Sequence, residues 1–104
     1  MKTKSLSQTG PAAALKTAYD AVNQILKKTP TKLEKENLGV NLPTLRRVIR
    51  CQPIKAVTYA YYMELFLRML REEYHQRIQK GDTGREILRV LAEIALQEHN
   101  MSLD

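Results

Sequence analysis

The chain has 104 residues, 43% of them hydrophobic, and a formal charge of +6. That length holds one modest core, and that composition excludes wholesale disorder. Cys51 is the only cysteine, which excludes an internal disulfide or a cysteine zinc cluster.

The charge is unevenly placed. Residues 1–55 hold eleven Lys/Arg against Asp20, Glu34 and Glu36, a surplus of eight positive charges. Residues 56–104 hold six Lys/Arg against eight acids, a deficit of two. A basic half joined to a mildly acidic half suits a polyanionic partner on the first half, and it equally suits a soluble domain with uneven surface charge. Lys2 and Lys4 are followed only by Ala12–Leu15 as an apolar run, far short of a signal core. The most apolar stretch, Val57 to Leu70, is broken by Glu64 and Arg68, so no membrane span is expected. A lone thiol and no leader predict a cytoplasmic protein.

In chain order, residues 1–9 (MKTKSLSQT) are polar and basic and are expected to form a mobile arm, ahead of a single helical domain over 10–104. Pro11 suits the first position of a helix, with Thr9 or Gly10 as cap. Ala14, Leu15, Ala18, Val22, Ile25 and Leu26 then recur at helical spacing, predicting an amphipathic helix to about Lys28. Thr31 and Glu34 stand at capping-box spacing for a short second helix, which Gly39 ends. Pro43 starts a third, over 42–51, with Leu45, Val48 and Ile49 on its inward face, and Gln52-Pro53 stops it.

From Pro53 a long helix is expected to about Lys80. One apolar row runs Val57, Tyr61, Leu65, Met69, and another Tyr59, Met63, Phe66, Leu70. A helix with two apolar faces is central, or shares itself between its own core and a partner. Gly81 ends it. Thr83 and Glu86 form a second capping-box pair for a last helix, with Ile87, Leu88, Leu91, Ile94 and Ala95 as its buried stripe. The fold class is therefore all-α: a five-helix domain with a helix-turn-helix at 31–50 and a long central helix.

Residues 31–50 (TKLEKENLGVNLPTLRRVIR) carry the functional signal. Leu38-Gly39-Val40 fills a tight turn, Leu45, Val48 and Ile49 pin the second helix, and Thr44, Arg46, Arg47 and Arg50 fall largely off the buried face. Arginine suits both guanine edges and phosphates. Leu38-Gly39-Val40, followed by Thr44-Leu45-Arg46-Arg47-Val48-Ile49, resembles the helix-turn-helix of the phage repressor and Cro-like superfamily. Lys35 stands where that family usually has alanine, and Leu42-Pro43 stands where polar base readers often sit. The resemblance implies a second helix in the major groove of double-stranded DNA. Asn41, Leu42, Thr44 and Arg46 would lie near the bases and Arg47 and Arg50 nearer the backbone. Lys32 and Lys35 would join them if they share that surface.

Other residues point to little chemistry. His75 and His99 have no metal-ligand spacing, Glu72-Glu73 diverge around a helix, and Cys51 has no histidine beside it in sequence, so no catalytic residue, metal or cofactor is expected. No small-molecule substrate suggests itself. The expected function is a small DNA-binding protein, a transcriptional regulator or mobile-element accessory factor, forming a homodimer through helices 54–80 and 84–99. Tyr59, Tyr62, Met63 and Phe66 are the candidate interface residues. The other reading is a helical protein-interaction or scaffold module, with the 59–70 surface as its site and no nucleic-acid partner.

Overall fold

The computed structural model describes residues 11–103, with side chains described for 11–99. The basic arm expected over 1–9, with Lys2 and Lys4, lies outside the described residues, as does the Thr9/Gly10 cap. The described residues are all-α: α1 Pro11–Ile25, α2 Pro30–Lys35, α3 Leu42–Ile49, α4 Ala56–Gln79 and α5 Arg85–Leu103, with no strand among them. No helix among them is long and apolar enough to cross a membrane.

α1 is the hub, because α3, α4 and α5 all pack against it. Its small residues allow this. Ala14, Ala18 and Ala21 are buried beside Leu15, Tyr19 and Val22, so neighbouring backbones approach closely on more than one side. The buried side chains form one continuous core. Phe66 of α4 is fully buried, with Tyr19 and Tyr62 packed edge-on at ring-centroid distances of 6.2 and 6.0 Å.

Local chemistry explains where each helix stops. α1 ends at Ile25, short of the expected Lys28, because Lys27 turns left-handed at φ 59°. Asn23 Nδ2 then donates to Lys28 O at 3.1 Å, closing the turn. Lys28, beyond the helix end, reaches Glu36 as an ion pair. α2 is capped by Thr29, whose Oγ1 accepts from Lys32 N, so the Thr31/Glu34 capping box does not form. Pro30 takes the first helical position, where its missing N–H costs nothing.

α4 and α5 form an antiparallel pair tied at both ends. Tyr59 Oη donates to Glu98 Oε2 at 2.6 Å, and Arg77 donates to both Glu73 and Glu86 at 3.1 Å. Burial first, then the Glu98 hydrogen bond and charge, pushes the Tyr59 hydroxyl well above its ordinary value, so it remains a donor at neutral pH. The helices meet at Gly84, whose φ is +66° and whose added Cβ would lie 2.5 Å from the Tyr74 ring. Thr83 Oγ1 accepts from Arg85 N rather than from the third helical residue, and Glu86 is spent on Arg77, so the second expected capping box is also absent.

The last helix turns differently from its expected stripe. Ile87 and Ile94 are buried, whereas Leu88 and Ala95 are exposed. α5 packs on α1 and α4 along one side, and Leu88 and Ala95 lie outside that strip.

Candidate nucleic-acid interface

Two short helices present the cationic residues. Glu36 caps α2 and Asn41 caps α3, leaving 37–40 as the connecting turn. That length matches the three to four residues usual in a helix-turn-helix. Asn37 and Gly39 both take positive φ, 60° and 84°, so the chain reverses twice within the turn. Gly39 is required there for two reasons. Its φ disfavours a side chain, and an added Cβ would sit 2.5 Å from Tyr61 Oη. Gly39→Ala is expected to lower stability by about 2 kcal/mol, read from thermal unfolding. An unchanged midpoint would show that the turn is not held as described.

Two tyrosines of α4 hold this turn, and sequence reasoning missed them. Tyr61 Oη donates to the Leu38 carbonyl, and Tyr62 Oη accepts from Asn41 N at 3.0 Å. The long helix thus fixes the entry angle of α3. No local pattern signals this, because the partners lie more than twenty residues apart in sequence. Glu34 Oε2 adds a third tie, accepting from Leu42 N at 3.2 Å.

α3 divides cleanly into two sides. At roughly 100° per residue, Pro43, Arg46, Arg47 and Arg50 fall within an arc about 100° wide. All four are exposed. Leu45 and Val48 face the opposite way and are buried, with Leu42 and Ile49 half-buried at the border. The three guanidinium groups therefore project to one side, clear of the core. Lys32 and Lys35 are exposed on α2, three residues apart and so on a common side of it. Among the described residues none of these five cations has an ion-pair partner. Lys27 and Lys55, in the flanking turns, are also exposed.

Asn41 and Thr44 are placed differently from the expectation of base readers. Asn41 Oδ1 accepts from Thr44 N at 2.9 Å, which commits the acceptor end of its amide to capping α3. Only its Nδ2 remains to donate outward, so bidentate reading of an adenine is blocked while the cap holds. Thr44 is half-buried beside the core face.

The carboxyl end of α3 stores backbone strain. Cys51 takes φ 57°, and its N–H and that of Gln52 bond back to Val48 and Arg47 carbonyls at 3.1 and 2.8 Å. This is the position glycine favours. Cys51→Gly is expected to stabilise the chain by about 1 kcal/mol. A lower urea midpoint in that variant would show instead that the half-buried thiol packs usefully.

The candidate partner surface on α4 is corrected. Tyr62, Met63 and Phe66 are buried in the chain's own core, and Tyr59 is half-buried and bonded to Glu98. They pack inward because α1 covers that side of α4. Tyr61, 48% exposed, is the surface tyrosine of the cluster. Of the 59–70 stretch offered to a protein partner, Ala60, Tyr61, Glu64 and Arg68 are exposed, while Tyr62, Met63, Leu65, Phe66 and Leu70 are interior.

Among the described residues no three His, Cys, Asp or Glu side chains converge as a metal site. No family model matches the chain, and neither does any curated protein or solved structure.

Proposed function

We propose that this chain is a small DNA-binding protein that lays α3 in the major groove of a duplex, serving as a transcriptional regulator or mobile-element accessory factor. The observation that carries this reading is the exposed arc of Arg46, Arg47 and Arg50, without an ion-pair partner among the described residues, on a helix pinned by Leu45 and Val48. A helix about 10–12 Å across fits a major groove about 12 Å wide. Arginine pairs with guanine O6 and N7 through two hydrogen bonds, and Lys32 and Lys35 would neutralise flanking phosphates. With Asn41 committed to its cap, the arginines carry base contact, and backbone attraction supplies most of the affinity.

The partner is double-stranded DNA, bound without cofactor or small-molecule substrate, and the chain performs no catalysis. Two copies would place two reading helices on half-sites about one helical turn apart, roughly 34 Å.

Amide chemical-shift mapping with a short duplex tests this reading. The largest changes are expected within residues 30–55. Changes centred on 57–70 or 85–99 would overturn it.

A further inference from the structure

The outer face of α3 is not uniform. Leu45 and Val48 are buried, with half-buried Leu42 and Ile49 on one border and Thr44 on the other, and together they set the direction of the core. At roughly 100° per residue, the line opposite that direction runs within about 10° of Pro43 and Arg50. Arg46 and Arg47 stand about 50° to either side of it. Arg50 keeps its place on this spiral although it caps the helix, because its N–H still bonds to the Arg46 carbonyl at 3.1 Å. One residue later the chain leaves the spiral, where Cys51 takes φ 57°.

The three arginines are therefore not equivalent in a groove. A helix about 10–12 Å across fills a major groove about 12 Å wide, so its flanks face the sugar–phosphate walls. Only its outermost line meets the base edges. Arg46 faces one wall and Arg47 the other. On the outermost line the Pro43 side chain has no hydrogen-bonding group, which leaves Arg50. Its guanidinium is a fork of donors and matches the paired acceptors O6 and N7 of guanine. Adenine and cytosine present an amino donor there, and thymine a single acceptor. No side-chain acceptor accompanies Arg50 on this line, and the nearest candidate is spent, since Asn41 Oδ1 accepts from Thr44 N.

We infer, resting on the DNA reading, that Arg50 alone reads a base, a guanine, while Arg46 and Arg47 hold phosphates of opposite strands. This reverses the order that the family resemblance implies, in which Arg46 lies near the bases and Arg50 nearer the backbone. One guanine contact per chain makes the preference between duplex sequences modest, about tenfold.

Selection from a randomised duplex pool, followed by fluorescence anisotropy on the enriched duplex, tests this assignment. The parent chain is expected to enrich guanine at one position. It should bind about tenfold more weakly when that guanine becomes 7-deazaguanine, which pairs normally but lacks N7. Arg50→Ala is expected to bind both duplexes alike. Arg50→Lys keeps the charge at the helix end, so it should hold unselected duplex near the parent's affinity while losing most of the preference. Arg46→Ala and Arg47→Ala should each bind about fivefold more weakly near physiological salt and keep the preference. An Arg50 that serves only the helix dipole would lower the melting midpoint of Arg50→Ala and leave the preference intact, which overturns the inference. Preference lost in Arg46→Ala or Arg47→Ala overturns it too, as does duplex binding with no enriched guanine. A chain that binds no duplex at all removes the functional reading and this assignment with it, so the two failures are told apart.

Discussion

Replacing Arg46, Arg47 and Arg50 together by alanine is expected to lower duplex affinity on the order of 100-fold near physiological salt. The magnitude follows from counterion release: each phosphate neutralised contributes about 0.9 to the slope of log K against log salt, or roughly fivefold in affinity at about 0.15 M. Three contacts multiply to that value. The fold should tolerate the change, because all three side chains are exposed and make no ion pair among the described residues. Fluorescence anisotropy against the parent, with circular dichroism as a folding control, reads the result. If any one of the three reads guanine, its single alanine variant should flatten preference between duplex sequences as well as weaken binding. Equal loss across all sequences assigns that arginine to the backbone. No loss in the triple variant removes α3 from contact with DNA.

Phe66→Ala is expected to cost about 3–5 kcal/mol, a large fraction of the roughly 5–15 kcal/mol that holds a domain of this size together. Phe66 is fully buried between Tyr19 and Tyr62, so truncation removes the centre of the aromatic cluster and leaves a cavity that α1 cannot close without moving. Chemical denaturation of dilute protein checks this. A subunit-interface position would behave oppositely, leaving the monomer's midpoint near its parent value and shifting only the oligomer. Tyr62→Phe offers a finer comparison. It keeps the packing but leaves Asn41 N–H without its acceptor, at a cost of about 1–2 kcal/mol.

Much of the architecture was legible from periodicity. The apolar spacing from Ala14 to Ile25 and the single inward face of α3 gave the correct elements, because apolar residues recur there at helical spacing with polar residues between them. Helix ends were less legible. Lys27 and Asn37 take left-handed conformations at residues that are not glycine, so the usual punctuation of the sequence misled by a few positions. Capping was also misassigned where two hydroxyls competed: Thr29 won over Thr31 because Pro30, between them, fills the first helical position.

Partnership between distant elements was not legible at all. The apolar rows of α4 show that it is flanked on more than one side, but not that α1 is the flanking helix, nor that Tyr61 and Tyr62 brace the turn ahead of α3. The same gap hid the outward roll of α5. Leu88 and Ala95 belong to a helical stripe as regular as the one that is buried, and only the positions of α1 and α4 decide which stripe lies inside. The arginine arc was recoverable because it depends on spacing within one short helix, whereas the role of Asn41 depended on whether its amide was already engaged.

The most direct measurement is the salt dependence of full-length chain binding to a random-sequence duplex. Five cations on α2 and α3 predict a log–log slope between about −3 and −5, with binding fading above physiological ionic strength. A slope near zero, or no binding at about 0.05 M salt, would contradict the assignment of this cationic face to DNA.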